Sequence, residues 1–73
     1  MEPLYTPIQL RAVRRIYNGK LVDCSKDDWP DVRSAISREA ARMVDQGQHI
    51  RAQIMLEEIR RLDRKFAAIE EDE

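Results

Sequence analysis

"DQGQHIRAQ", residues 45–53, decides the architecture of this chain, because its Gly47 either turns the backbone between two helices or lies inside one long helix. Val32, Ile36, Ala40, Met43, Gly47, Ile50 and Ile54 stay in phase through the glycine, as an unbroken helix would require. Downstream a second stripe takes over. Met55, Ile59, Leu62, Phe66 and Ile69 are spaced four, three, four and three residues apart, a short heptad seam on a different face. A change of face asks for two helices. Asp45 also stands three residues before Gln48, the spacing of a capping box, and a glycine inside a helix costs about 1 kcal/mol relative to alanine. A turn at Gly47 is the preferred reading, and it makes an antiparallel hairpin of helices at about 30–46 and 48–69.

The longer segment "DQGQHIRAQIMLEEIRRLD", residues 45–63, resembles the turn and second helix of a tetratricopeptide-repeat hairpin. In that family a glycine ends the first helix, an alanine five residues later lets the helices approach, and a Leu-Asp pair closes the unit. Gly47, Ala52, Leu62 and Asp63 stand at those places, while His49 stands where the family has an aromatic residue. The likeness occurs once, where the family forms arrays. It implies a hairpin shape, and neither membership of the family nor its peptide groove.

Outward from the hairpin, "YTPIQLRAVRRIYNG", residues 5–19, carries the start and stop of a first helix at about 7–18. Thr6 can cap it, Pro7 suits the first helical position, Gln9 completes a capping box, and Tyr5 with Leu10 can form a hydrophobic staple. Asn18-Gly19 supplies the stop. Asn-Gly is also a hairpin-turn signal, but Leu10, Val13, Ile16 and Tyr17 recur at three and four rather than at two, so helix is preferred. That spacing gathers Arg11, Arg14 and Arg15 on the opposite face. In the linker "KLVDCSKDDWP", residues 20–30, Leu21, Val22 and Trp29 are expected to fold back over the core, and Asp27, Asp28 and Pro30 mark the next helix start. The expected architecture is a small all-α domain of three helices over residues 1–69, with the acidic residues 70–73 as a frayed tail.

Composition narrows the function classes. A chain of 73 residues is one domain with a modest core. Lys and Arg total 13 against 14 Asp and Glu, a net charge of -1, which removes the long-range field of a non-specific nucleic-acid binder. One cysteine, Cys24, cannot form an internal disulfide, and with the lone His49 it cannot assemble a zinc site. No stretch approaches the roughly 20 apolar residues of a membrane span, and no signal peptide is recognisable. A soluble, cytoplasmic protein with no cofactor is expected.

Catalytic groups do not form a set. Cys24 lacks a placeable base, Asp23, Asp27, Asp28 and Asp31 lack calcium-loop spacing, and neither glycine belongs to a phosphate loop. A helix-turn-helix reading around Gly47 fails, because Met43 and Gln53 occupy the places that want a small and an apolar residue. Apolar surface is the more informative feature. A final helix of about 33 Å faces a first helix of about 18 Å, so the Met55–Ile69 seam either packs in an ordinary three-helix core with Leu21, Val22 and Trp29 filling in, or joins a second copy or a foreign protein.

The leading expectation is a non-enzymatic regulatory protein, self-associating with a dimer favoured. It would bind and inhibit or modulate a macromolecular partner such as host transcription machinery. In size and style only, it resembles the small regulators that phages direct at their hosts. Arg11, Arg14 and Arg15 would steer the encounter, Met55, Ile59, Leu62, Phe66 and Ile69 would supply affinity, and Glu57 would pair with Arg61 on the exposed side. The alternative is a nucleic-acid-binding transcription regulator whose dimer brings two arginine faces to phosphates.

Overall fold

The computed structural model describes residues 5–71, and among them the chain forms three helices and no strand: α1 Pro7–Tyr17, α2 Trp29–Asp45 and α3 His49–Glu71. Each boundary has a local cause. Thr6 Oγ1 accepts from the Gln9 amide at 3.3 Å, and Gln9 Oε1 accepts from the Thr6 amide at 2.9 Å, so the capping box is formed. Gln9 Nε2 remains free to donate to the Asp31 carbonyl at 2.8 Å, which ties the start of α1 to the start of α2. The staple residues Tyr5 and Leu10 pack with Val13 against Ala35, whose small side chain lets α1 lie close across α2.

Both glycines end helices in the same way. Gly19 has φ +73°; its amide donates to Ile16 at 3.0 Å and that of Lys20 to Arg15 at 2.8 Å. Gly47 has φ +78°, with Gly47 donating to Val44 at 3.0 Å and Gln48 to Met43 at 2.8 Å. The turn at Gly47 is real, and the continuous helix is excluded. Asp45 does not cap α3, however: it is the last residue of α2, and the glycine alone makes the break.

Helix α2 starts at Trp29 behind Asp28, which makes no side-chain cap of its own. Instead Ser25 Oγ accepts from the Asp28 amide at 3.2 Å and donates to Asp28 Oδ2 at 2.9 Å, fixing the approach. The hairpin is antiparallel because the start of α2 meets the late part of α3. Trp29 stacks obliquely on Phe66 with ring centroids 5.9 Å apart, its Nε1 donates to Asp63 at 2.9 Å, and Arg33 pairs with Asp63 at 3.2 Å. Between them Val32, Ile36, Ala40 and Met43 face Ala52, Met55, Ile59, Leu62 and Phe66, and α1 adds Ala12 and Ile16.

Of the three residues expected to fold inward from the linker, Val22 and Trp29 join the core, Trp29 as the first residue of α2, and Leu21 does not. Val22 is buried, whereas Leu21, expected to fold inward, is 62% exposed. Its neighbour decides this. Helix α3 holds both polar groups of Val22, the amide through Glu58 Oε2 at 2.9 Å and the carbonyl through Arg61 Nη2 at 3.1 Å, and adjacent residues of an extended segment point to opposite sides. Arg61 therefore bonds Glu58, at 2.6 Å, rather than the expected Glu57. A second buried carboxylate, Glu39, accepts the Tyr5 and Tyr17 hydroxyls, each at 3.0 Å, which pins both ends of α1 to α2. Every buried side-chain nitrogen and oxygen among the described residues has a partner. Helix α3 reaches Glu71, so two residues of the expected tail are helical, and residues 72–73 lie outside the described residues.

Candidate interaction surface

The apolar seam expected to bind a partner is covered by the chain itself. Met55, Ile59, Leu62 and Phe66 are 1, 6, 0 and 7% exposed, and only Ile69 of that set is open, at 44%. The covering helix is α2, not α1. Helix α2 has 17 residues, about 26 Å at 1.5 Å per residue, and runs alongside the seam for most of its length. A heptad stripe looks the same whether its own chain or another covers it.

The arginine face is also divided. Arg11 and Arg14 are exposed, and their side chains form no hydrogen bond or ion pair among the described residues. Arg15 is half-buried, and its Nε donates to the Leu21 carbonyl at 2.7 Å, holding the linker as it leaves α1. Two arginines, not three, are available for a ligand.

A different apolar cluster is exposed. Ile50 is 80% accessible, Leu21 62%, Ile54 49% and Tyr17 38%. Tyr17, Leu21 and Ile54 line a shallow groove between the C-terminal end of α1 and the outer side of α3, together with Ile16, Gly19, Lys20, Arg51 and Glu57, and Ile50 lies one turn before Ile54 on the same side of α3. Local structure builds it from both sides. Gly19 turns the chain away from α1, and a side-chain carbon added there would meet only open space. The Val22 clamp on Glu58 and Arg61 then draws the linker inward beyond Leu21, leaving that side chain on the rim. On α3, the Gly47 turn rotates Ile50 and Ile54 off the α2 stripe that they would have continued in an unbroken helix. That rotation is the available signal in the sequence: once the turn is accepted, these residues lie on average about 130° round the helix from Met55, Ile59 and Leu62.

The groove's polar edge is held in place. Arg51 lies over the Tyr17 ring, 5.7 Å from its centroid, while the Tyr17 hydroxyl is tied to Glu39. Burial, then the hydrogen bond to Glu39 and its charge, push the Tyr17 phenol above its ordinary pKa, so it stays a donor. For Glu58, burial alone would raise the pKa, but the Arg61 hydrogen bond, the Val22 amide and the Arg61 charge outweigh it and hold the carboxyl below its usual range.

Two smaller features remain. Val44 and Leu56, 46 and 43% exposed, flank His49 and Gln53 near the hairpin turn. Cys24 lines a hollow with Ile8, Arg11, Asp23 and Asp28, where burial first and then the two carboxylates push its thiol pKa up, the reverse of what activates a nucleophile. Among the described residues no three metal-ligating side chains come together, and no helix is long and apolar enough to cross a membrane. Compared with protein families, curated proteins and solved structures, the chain matches none, so the tetratricopeptide likeness remains one of hairpin shape.

Proposed function

We propose that this chain is a small non-enzymatic interaction protein that regulates a macromolecular partner by occupying its surface. The observation behind this reading is the exposure of Ile50, Ile54, Leu21 and Tyr17 around one groove, in a domain whose core is closed without them. Contiguous apolar side chains left in water on a small domain mark contact surfaces; here Tyr17, Ile50 and Ile54 rest on helices and Leu21 adjoins the clamped Val22. Since the expected seam is internal, the contact surface is assigned instead to the outer side of α3 and the α1 terminus. Capture from the native host by the wild-type chain and by the Ile50→Asp/Ile54→Asp variant tests it. Both substitutions lie on the surface, so helicity should persist while a specific partner is lost; equal capture by both proteins would refute the assignment.

Arg11 and Arg14 support a second reading, in which they contact nucleic-acid phosphates. It predicts affinity for duplex DNA that falls steeply with rising salt and weakens in the Arg11→Ala/Arg14→Ala variant. Affinity unchanged by both salt and substitution would dismiss it.

A further inference from the structure

The groove between α1 and α3 combines the apolar Ile16, Leu21, Ile54 and Met55 with the paired Glu58 and Arg61, and basic side chains stand around it. Lys20 and Arg51 stand on the side toward α1, and Arg60 and Arg64 stand across the outer face of α3 beside Glu57. The side chains of Lys20, Arg60 and Arg64 form no hydrogen bond or ion pair among the described residues, and that of Arg51 is engaged only with the Tyr17 ring. Glu58 is neutralised by Arg61 through bonds of 2.6 and 3.0 Å. Four cations therefore face one unengaged carboxylate, Glu57.

Shape limits the ligand further. Ten residues separate Arg51 from Arg61, about 15 Å or three turns of helix. No strand edge exists among the described residues, so an extended peptide would lay unpaired backbone groups over Ile50 and Ile54. A helix satisfies its own backbone and presents an apolar stripe to such a groove. A second copy fits poorly, because two-fold pairing would bring each basic rim against the other.

From this geometry we infer that the groove binds an acidic amphipathic helix of a protein partner, about three turns long. Its apolar stripe covers Ile50, Ile54 and Leu21, and its carboxylates meet Lys20, Arg51, Arg60 and Arg64. This rests on the interaction-protein reading and adds the chemistry of the partner.

The test titrates the full chain with two designed peptides of about four turns, sharing leucines at the first, fourth, fifth, eighth and eleventh positions. One carries glutamates on its polar face, the other lysines. Amide and methyl NMR shifts locate the site, and fluorescence anisotropy gives affinities. The glutamate peptide should bind at least about tenfold more tightly, the expectation for several complementary pairs at an apolar contact. Its shifts should centre on Tyr17, Gly19, Leu21, Ile50 and Ile54. Lys20→Glu/Arg51→Glu should remove that preference, with the circular dichroism of the folded chain retained. Equal affinity of the two peptides at the groove would overturn the acidic specificity and leave a docking surface standing. Failure of both peptides to shift the groove, or a dimer in sedimentation equilibrium with Ile50 and Ile54 sealed between copies, would overturn the inference and the assignment of this surface together.

Discussion

Gly47 and Glu58 show how single side chains set this structure. Because Gly47 holds φ +78°, an alanine there is strained even though the space for its methyl group is open. Gly47→Ala is expected to destabilise by about 1 kcal/mol, read as a lower urea midpoint with unchanged slope. An increase in stability would point to a continuous helix instead. Glu58 has a native pKa below its ordinary value of 4.5, so its contribution is fully present above that value and is lost as pH falls through the depressed one. Stability should therefore decline below about pH 4.5, and Glu58→Gln should flatten that part of the profile while lowering stability at neutral pH. An acid limb of unchanged steepness in the variant would assign the decline to other carboxylates. Tyr5→Phe and Tyr17→Phe each remove a donor from buried Glu39 and should cost about 1.5–3 kcal/mol, measured by urea unfolding. A negligible effect of both would show that the carboxylate finds replacement partners.

At the scale of helices, the boundaries were legible and the coverings were not. Thr6, Pro7, Gln9 and Gly19 act through contacts within a few residues, so sequence spacing suffices to read them. The same holds for the Gly47 turn. The exposure of Leu21 is not legible in sequence because it depends on Val22 being clamped 36 residues away by Glu58, a contact without a local signature. Periodicity shows the Met55–Phe66 stripe to be apolar but does not say which helix covers it. Its burial against α2 gives an energetic contrast. Leu62→Ala should cost about 2–5 kcal/mol, enough to unfold much of so small a domain, whereas Ile54→Ala should stay within about 0.5 kcal/mol. Thermal unfolding by circular dichroism checks both, and comparable losses would mean that Ile54 belongs to the core.

The whole molecule measures 41 × 29 × 18 Å, and at 18 Å it is two helices thick. One face of α3 is packed on α2, and among the described residues no third layer covers the other. Apolar residues are consequently split between a closed interior and an outward strip, and the binding surface moves from the seam read in the sequence to the strip that the Gly47 turn exposes. This division is the central claim, and thermal unfolding of Ile50→Asp/Ile54→Asp beside the wild type, at two protein concentrations, tests it most directly. The fold should not depend on the strip: both proteins should show the same helical spectrum, midpoints within about 4 °C, and no concentration dependence. A wild-type midpoint that rises with concentration, together with loss of helicity in the variant, would show that the strip is part of the folding core.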